Sequence, residues 1–366
     1  MANFNGQLRS NEIFSALYNM IISQEVFADN LGKHQTLVDK ARVDGGLYGD
    51  TKLYYSTDVL KSAPWGNDAE ATNLLALHRP EAPECQAIHL DIFRQICLTV
   101  DNYLSKRAWA DEGSFSSFNS VMLGWMRETK RVYDGTLYNV FIGTTETNEG
   151  KQIVKIDLDG ARANASTELE ADKLEALALA QGIADLLVEM GDYSRDFNDY
   201  ANLRSYAEDG IKIIWNASYV NKVRKVDLPT IFHKDGLVDK FDEEVLPAKY
   251  FGAKNSSQVA AADNDGSYRS VLEKDYTVSE TTTHVFPGDL IPAGAIIAAG
   301  EGYLVDDDII AKVVVKLPPY MSAFEVGTSF FNPKSLTENH YLTFGHNTIE
   351  YLKNYPFITI KNASNS

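Results

Sequence analysis

Residues Glu84 to Val100 alternate in a way few sequences sustain: Ile88, Leu90, Ile92, Ile96, Leu98 and Val100 recur at every second or fourth position. A period of two predicts β-structure, and about 17 extended residues at roughly 3.3 Å each would span more than 50 Å, several times an ordinary strand. The upstream segment from Leu47 to Leu60, with Lys52-Leu53-Tyr54-Tyr55-Ser56 at its centre, is the predicted partner. The tip between them carries Pro64, Trp65, Pro80 and Pro83. A two-stranded ribbon has no core of its own and is marginal in water unless something covers it. Neighbouring copies of the chain are the expected cover, which points to a subunit that completes its fold in an assembly.

Bulk properties narrow the class. The chain has 366 residues, 44% hydrophobic and 11% aromatic, which is globular composition with room for two lobes. A formal charge of -17 argues against a direct grip on nucleic-acid phosphates, since such binding rests on clustered Lys and Arg. The acidity instead favours solubility at high concentration. Cys85 and Cys97, the only two cysteines, fall on one side of one predicted strand and cannot bridge within it, which fits a reducing compartment. No signal-peptide core and no uncharged apolar run of membrane-spanning length occurs, so synthesis in the cytoplasm is expected.

The rest of the chain shows helix patterns first and mostly strand patterns later, without an internal repeat. An amphipathic helix is predicted over 10–30, from Ile13, Phe14, Leu17, Ile21 and Phe27. From Ser114 the period becomes 3.6, with Phe115, Phe118, Met122, Trp125, Thr129, Val132, Thr136 and Val140 along one predicted buried face. That helix should end near Gly143 after about 28 residues, roughly 42 Å. A short strand at Gln152–Ile156 precedes a second helix, opened by a capping box from Thr167 to Glu170 and ended by Gly191. Its predicted buried face is Leu169, Leu174, Leu177, Ala178, Ala184, Leu187 and Val188. Strands are then predicted at Ile211–Trp215, Val245–Leu246 on an edge, His284–Phe286, Ala295–Ile297, Ile309–Leu317, Phe324–Phe331, His340–Phe344 and Phe357–Ile360, with a helix over 217–232 and an exposed loop from Asn255 to Ser267. Segregated elements of this kind make the fold class α+β.

Signatures of catalysis are weak. Asp306-Asp307-Asp308 lacks the spaced ligands of a calcium loop and reads as a solvated turn. The glycines of 288–302 have no Lys-Ser/Thr behind them and read as β-turns. The seven histidines, His34, His78, His89, His233, His284, His340 and His346, form no metal-binding spacing. No nucleophile elbow occurs, so neither cofactor nor metal nor enzymatic activity is expected. Lys106-Arg107 and Lys222, Arg224, Lys225 are the densest basic spots and read as ion-pair partners within or between chains. Trp109, Trp125 and Trp215 read as core, whereas Trp65 at the loop tip reads as an interface anchor.

The order of arm, long hairpin, spine-length helix, mixed middle and closing strand resembles the tailed-phage major capsid protein of the Hong Kong 97 type. Local text carries the same resemblance: Glu208-Asp209-Gly210-Ile211-Lys212-Ile213-Ile214-Trp215-Asn216 followed by Leu228-Pro229-Thr230-Ile231-Phe232, then Phe324-Glu325-Val326 to Phe331-Asn332 and Tyr355-Pro356-Phe357. The resemblance implies an N-terminal arm at 1–46, an extended loop at 47–100, a peripheral domain with the spine helix at 101–159, an axial domain at 160–330 and a C-terminal return to the peripheral domain at 331–366. It implies self-assembly through pentamers and hexamers into an icosahedral head that encloses double-stranded DNA without sequence-specific binding. A separate scaffolding protein, a portal and decoration proteins would be partners, and no membrane is involved. Some relatives carry a long scaffolding segment that is removed; the beginning of this chain leaves little room for one. Some join a loop lysine to an asparagine of the next subunit, but beside Lys52 and Lys61 no motif identifies the partner groups. Expected inter-subunit contacts are Tyr54, Trp65, Ile88, Leu90, Ile92, Phe14 and Leu17. Two alternatives stand beside this reading: an encapsulin-like nanocompartment shell, and an unrelated soluble enzyme.

Overall fold

The computed structural model describes residues 36–45, 51–62, 77, 79–101, 112–147, 151–220 and 242–363, without the side chains of 101, 112–123 and 324. In chain order, α1 (Leu37–Ala41) leads into β1 (Arg42–Asp44), then β2 (Lys52–Ser56), β3 (Glu84–Ile88), β4 (Leu90–Asp101) and the long helix α2 (Glu112–Thr144). Next come β5 (Ile153–Ile156), α3 (Leu158–Ala163), α4 (Glu168–Gly191), β6 (Lys212–Asn216), β7 (Asp242–Leu246), β8 (Gly252–Lys254) and β9 (Arg269–Ser270). The remainder is strand: β10 (Lys274–Val278), β11 (Thr281–Val285), β12 (Gly302–Val305), β13 (Ile309–Val314), β14 (Tyr320–Asn332), β15 (Thr337–Asn347) and β16 (Phe357–Asn362). The chain is α+β, as predicted, and divides into two compact units.

The first unit comprises residues up to 50, 89–135 and 320–348. Its framework is a four-stranded sheet in the order β1-β14-β15-β4, parallel only between β1 and β14. The β14–β15 hairpin turns at 333–336, where Lys334 N donates to Asn332 Oδ1 at 3.0 Å and Leu336 takes a positive φ of 55°. Helix α2 covers one face. The Tyr133 ring lies 5.8 Å from that of Phe344, and the Arg94 guanidinium sits 4.9 Å from the Tyr133 centroid.

The second unit comprises 51–88, 136–319 and 349–366. A five-stranded sheet in the order β5-β16-β13-β6-β7 forms its centre, antiparallel inside and parallel at both edges. All six residues of β13 are buried, as befits a strand covered on both faces. On one side α4 presents Leu179, Ile183, Leu186, Leu187 and Met190 to a core shared with Ile156, Ile213, Val313, Ile358 and Ile360. The predicted cap is present: Thr167 Oγ1 accepts from Glu170 N at 3.3 Å. The reciprocal bond lands one residue early, from Ser166 N to Glu170 Oε2 at 3.0 Å. Three smaller sheets among the described residues, β8-β12-β9, β10-β11 and β2-β3, complete the unit. Gly288 and Gly294 adopt φ of 85° and 82°, so the glycine-rich stretch does make turns.

Three predictions need correction. The long ribbon does not exist as a two-stranded object. β3 pairs with β2 over five residues, Lys52↔Ile88 to Ser56↔Glu84, and after the break at His89 strand β4 pairs with β15 instead. A period of two specifies a strand but not its partner, and the alternating face of β4 is half-buried from Leu90 to Leu98 and buried at Val100. The spine helix is present and, at 33 residues, somewhat longer than expected; Val140 is buried as predicted, but Met126, Lys130, Tyr133, Asp134, Leu137 and Tyr138 are buried with it, while Trp125 and Val132 are 56% and 47% exposed. On α4, Leu187 is buried as predicted, whereas Leu169, Leu177 and Val188 are exposed. In addition, Ala295–Ile297 contributes only the isolated bridge between Val259 and Ile297. The closing strand β16 sits between β5 and β13. The predicted helix at 10–30, and the greater part of the one at 217–232, lie outside the described residues.

Candidate assembly surfaces

The stem formed by β2 and β3 is held by polar anchors from its own unit. Ser56 Oγ donates to Asn354 Oδ1 at 2.6 Å and accepts from Asn202 Nδ2 at 2.6 Å. Gln86 Nε2 donates to Tyr351 O, and Gln86 Oε1 accepts from Lys353 N, both at 3.0 Å. Just past the stem, Asp58 accepts from Leu203 N at 2.9 Å and from Arg195 at 2.6 Å. The amide of Leu203, followed by the Arg195 guanidinium, holds that carboxyl down at about 2. Beyond it, residues 57–62 and 79–83 are exposed, and Lys61 pairs with Glu81 at 2.7 Å. The base of the loop is therefore fixed while its outer part is open to a partner.

A buried polar cluster organises the first unit. Asp134, fully buried, accepts from Lys130 Nζ and Arg42 at 2.9 Å each and from the Tyr320 hydroxyl at 2.6 Å. Burial, reinforced by the Asp134 charge, raises the Tyr320 hydroxyl far above its ordinary range. Nearby His346 is also fully buried, bonded to the Tyr133 hydroxyl at 2.8 Å, and burial lowers its pKa. Asp134 and His346 are closed off from solvent, and their bonds lock α2 to β14 and β15.

Outside these cores the exposed apolar groups fall into stripes. One face of the four-stranded sheet presents Phe93, Val326 and Phe330, at 59%, 44% and 61% exposure, among Gln95, Cys97, Thr99 and Thr328. On α2 the stripe is Trp125 and Val132; on α4 it is Leu169, Leu177 and Val188; on the stem, Leu53 and Tyr55. These are among the apolar side chains that the described surface leaves open to a partner.

The sequence-predicted contact residues distribute unevenly. Phe14, Leu17 and Trp65 lie outside the described residues. Ile88 is 2% exposed and packs inside its own chain. Tyr54, Leu90 and Ile92 are half-buried, with the Lys316 ammonium 5.9 Å from the Tyr54 ring. Their alternate neighbours Leu53, Tyr55 and Phe93 are the outward ones. Hydrophobicity identified the strands but did not distinguish their two faces, since both carry large apolar side chains. Trp125, read as core, is exposed, while Trp215 packs against the α4 core.

Among the described residues no group of three or more His, Cys, Asp or Glu is placed to hold a metal, and no helix is long and apolar enough to cross a membrane. Asp306–Asp308 form a turn between β12 and β13, with Asp308 N donating to Asp306 Oδ1 at 3.0 Å and Lys361 3.4 Å from Asp306. His34, His78 and His233 lie outside the described residues.

No protein-family model matches the chain, and no curated protein matches it. Solved structures do. A chain in the capsid structure of Staphylococcus phage Andhra is 11% identical, with a TM-score of 0.53 covering 92% of this chain and 84% of that one. A chain in the structure of the head fiber and inner core protein gp22 of native bacteriophage P68 is 11% identical, with a TM-score of 0.55 covering 86% and 81%. This is a phage-capsid fold. At such identity the likeness resides in the architecture of helices and sheets, not in shared side chains. Within the phage-capsid fold, the stripes described above are the surfaces this particular sequence leaves apolar.

Proposed function

We propose that the chain is the major capsid protein of a tailed bacteriophage, a structural subunit that closes through pentamers and hexamers into an icosahedral head around double-stranded DNA. The observation that supports this most is the match, over more than four-fifths of both chains, to a chain of the Andhra capsid. In this reading the arm, extended loop, peripheral and axial domains are the segments 1–46, 47–100, 101–159 with 331–366, and 160–330. A charge of -17 suits a container that confines DNA without adhering to it. The outer part of the loop and the exposed stripes become contacts between copies, each burying apolar area at about 25 cal/mol per Å². Scaffolding, portal and decoration proteins would be further partners, and the protein would pass from the host cytoplasm into the virion.

Negative-stain microscopy and sedimentation of the purified protein test the reading. Closed shells of uniform size are expected, alone or with co-expressed scaffold. Replacing residues 61–81 by a short Gly-Ser linker should leave a folded subunit that forms none. A protein that stays monomeric under all these conditions contradicts the proposal.

A further inference from the structure

The five-stranded sheet has two unlike edges. At one edge stands β5, paired on one side with β16. Gln152 O accepts from Thr359 N and Ile156 O from Ala363 N, both at 2.8 Å. Backbone direction alternates along a strand, so the amides and carbonyls of Ile153 and Lys155 point the other way, toward the open edge. Beside that edge lies an open groove of about 350 Å³ between β5 and α4, lined by Val154, Lys155, Asp157, Gln181, Asp185 and Glu189 among others. Its charged residues are three carboxylates against one ammonium. An edge strand with free hydrogen-bonding groups accepts an added strand unless it is protected.

The opposite edge is β7, four strand spacings or roughly 19 Å away. The chain between β6 and β7 includes Asn221-Lys222-Val223-Arg224-Lys225-Val226, three cations within four positions and no carboxylate. We propose that this basic segment of one copy adds as a strand along β5 of the next copy, its cations meeting Asp157, Asp185 and Glu189. Donor and acceptor are different parts of the chain, so the contact is head-to-tail, the kind that closes into rings. The inference rests on the capsid reading and adds which surfaces build the capsomer ring.

The test uses assembled particles of a parent in which Cys85 and Cys97, both exposed, are replaced by Ser. Lys155→Cys is combined in turn with Lys222→Cys, Arg224→Cys and Lys225→Cys, and the particles are oxidised. The expected result, for at least one pair, is a ladder of covalent multimers ending at five or six subunits. Intact shells whose chains remain unlinked, or link only within a chain, overturn the inference and leave the capsid reading standing. A parent that never assembles overturns both. Independently, Glu189→Lys should lower shell yield at least tenfold and Arg224→Glu should restore it; a yield indifferent to both also overturns the contact.

Discussion

Lys312 is the least expected residue of the core, an amine with no solvent exposure in the middle of β13. Its Nζ donates to Thr145 O at 2.9 Å and Thr359 Oγ1 at 2.8 Å, and burial, only partly offset by Glu146 and Asp306, depresses its pKa to about 7. Between 7 and the ordinary 10.5 the unfolded chain binds a proton that the folded chain does not, so stability rises with pH across that window. The rise should be on the order of 4 kcal/mol, and Lys312→Met should remove it when urea midpoints are compared from pH 7 to 10.5. Asp134 has the opposite character, an anion matched by two cations. Asp134→Ala leaves Lys130, whose side chain is 6% exposed, without that partner and should cost about 3–5 kcal/mol in urea unfolding, with Asp134→Asn costing less.

At the scale of elements, the extent of α2 was legible because a 3.6-residue period unbroken over many turns fits a helix and fits no strand. Its orientation was not legible. The buried stripe contains Lys130 and Asp134, which count as surface on any hydropathy scale until Arg42 and Tyr320, distant in sequence, join Lys130 as partners of Asp134. The run from Glu84 shows the same division: its period announced strands, but β15 lies far along the chain and nothing in the alternation names it. The exposed apolar faces were half legible for that reason, since Leu53, Tyr55 and Phe93 alternate with residues equally apolar. Close approach is another property that sequence conceals. A Cβ on Gly143 of α2 would lie 2.1 Å from the carbonyl oxygen of Tyr250. Gly143→Ala should therefore destabilise, despite a helix-propensity gain of about 1 kcal/mol, and thermal melting of the purified variant would show it.

At the scale of the whole molecule, apolar groups that look like defects in an isolated chain would acquire a use under the capsid reading. Trp125→Glu with Val132→Glu should leave the circular dichroism spectrum and melting temperature nearly unchanged, because both side chains already face water, yet reduce assembled particles by tenfold or more in sedimentation. A melting temperature that falls with the yield would instead make the stripe part of the subunit's own core.

One junction has a mechanical consequence. Since β3 and β4 meet at His89 and belong to separate ladders, the five-residue stem can come undone without loosening one bond between β4 and β15. Whatever tugs on the exposed residues 57–62 and 79–83 meets a fuse before it meets the frame, so in the capsid reading strain from neighbours would be relieved locally while the β4–β15 ladder keeps its form.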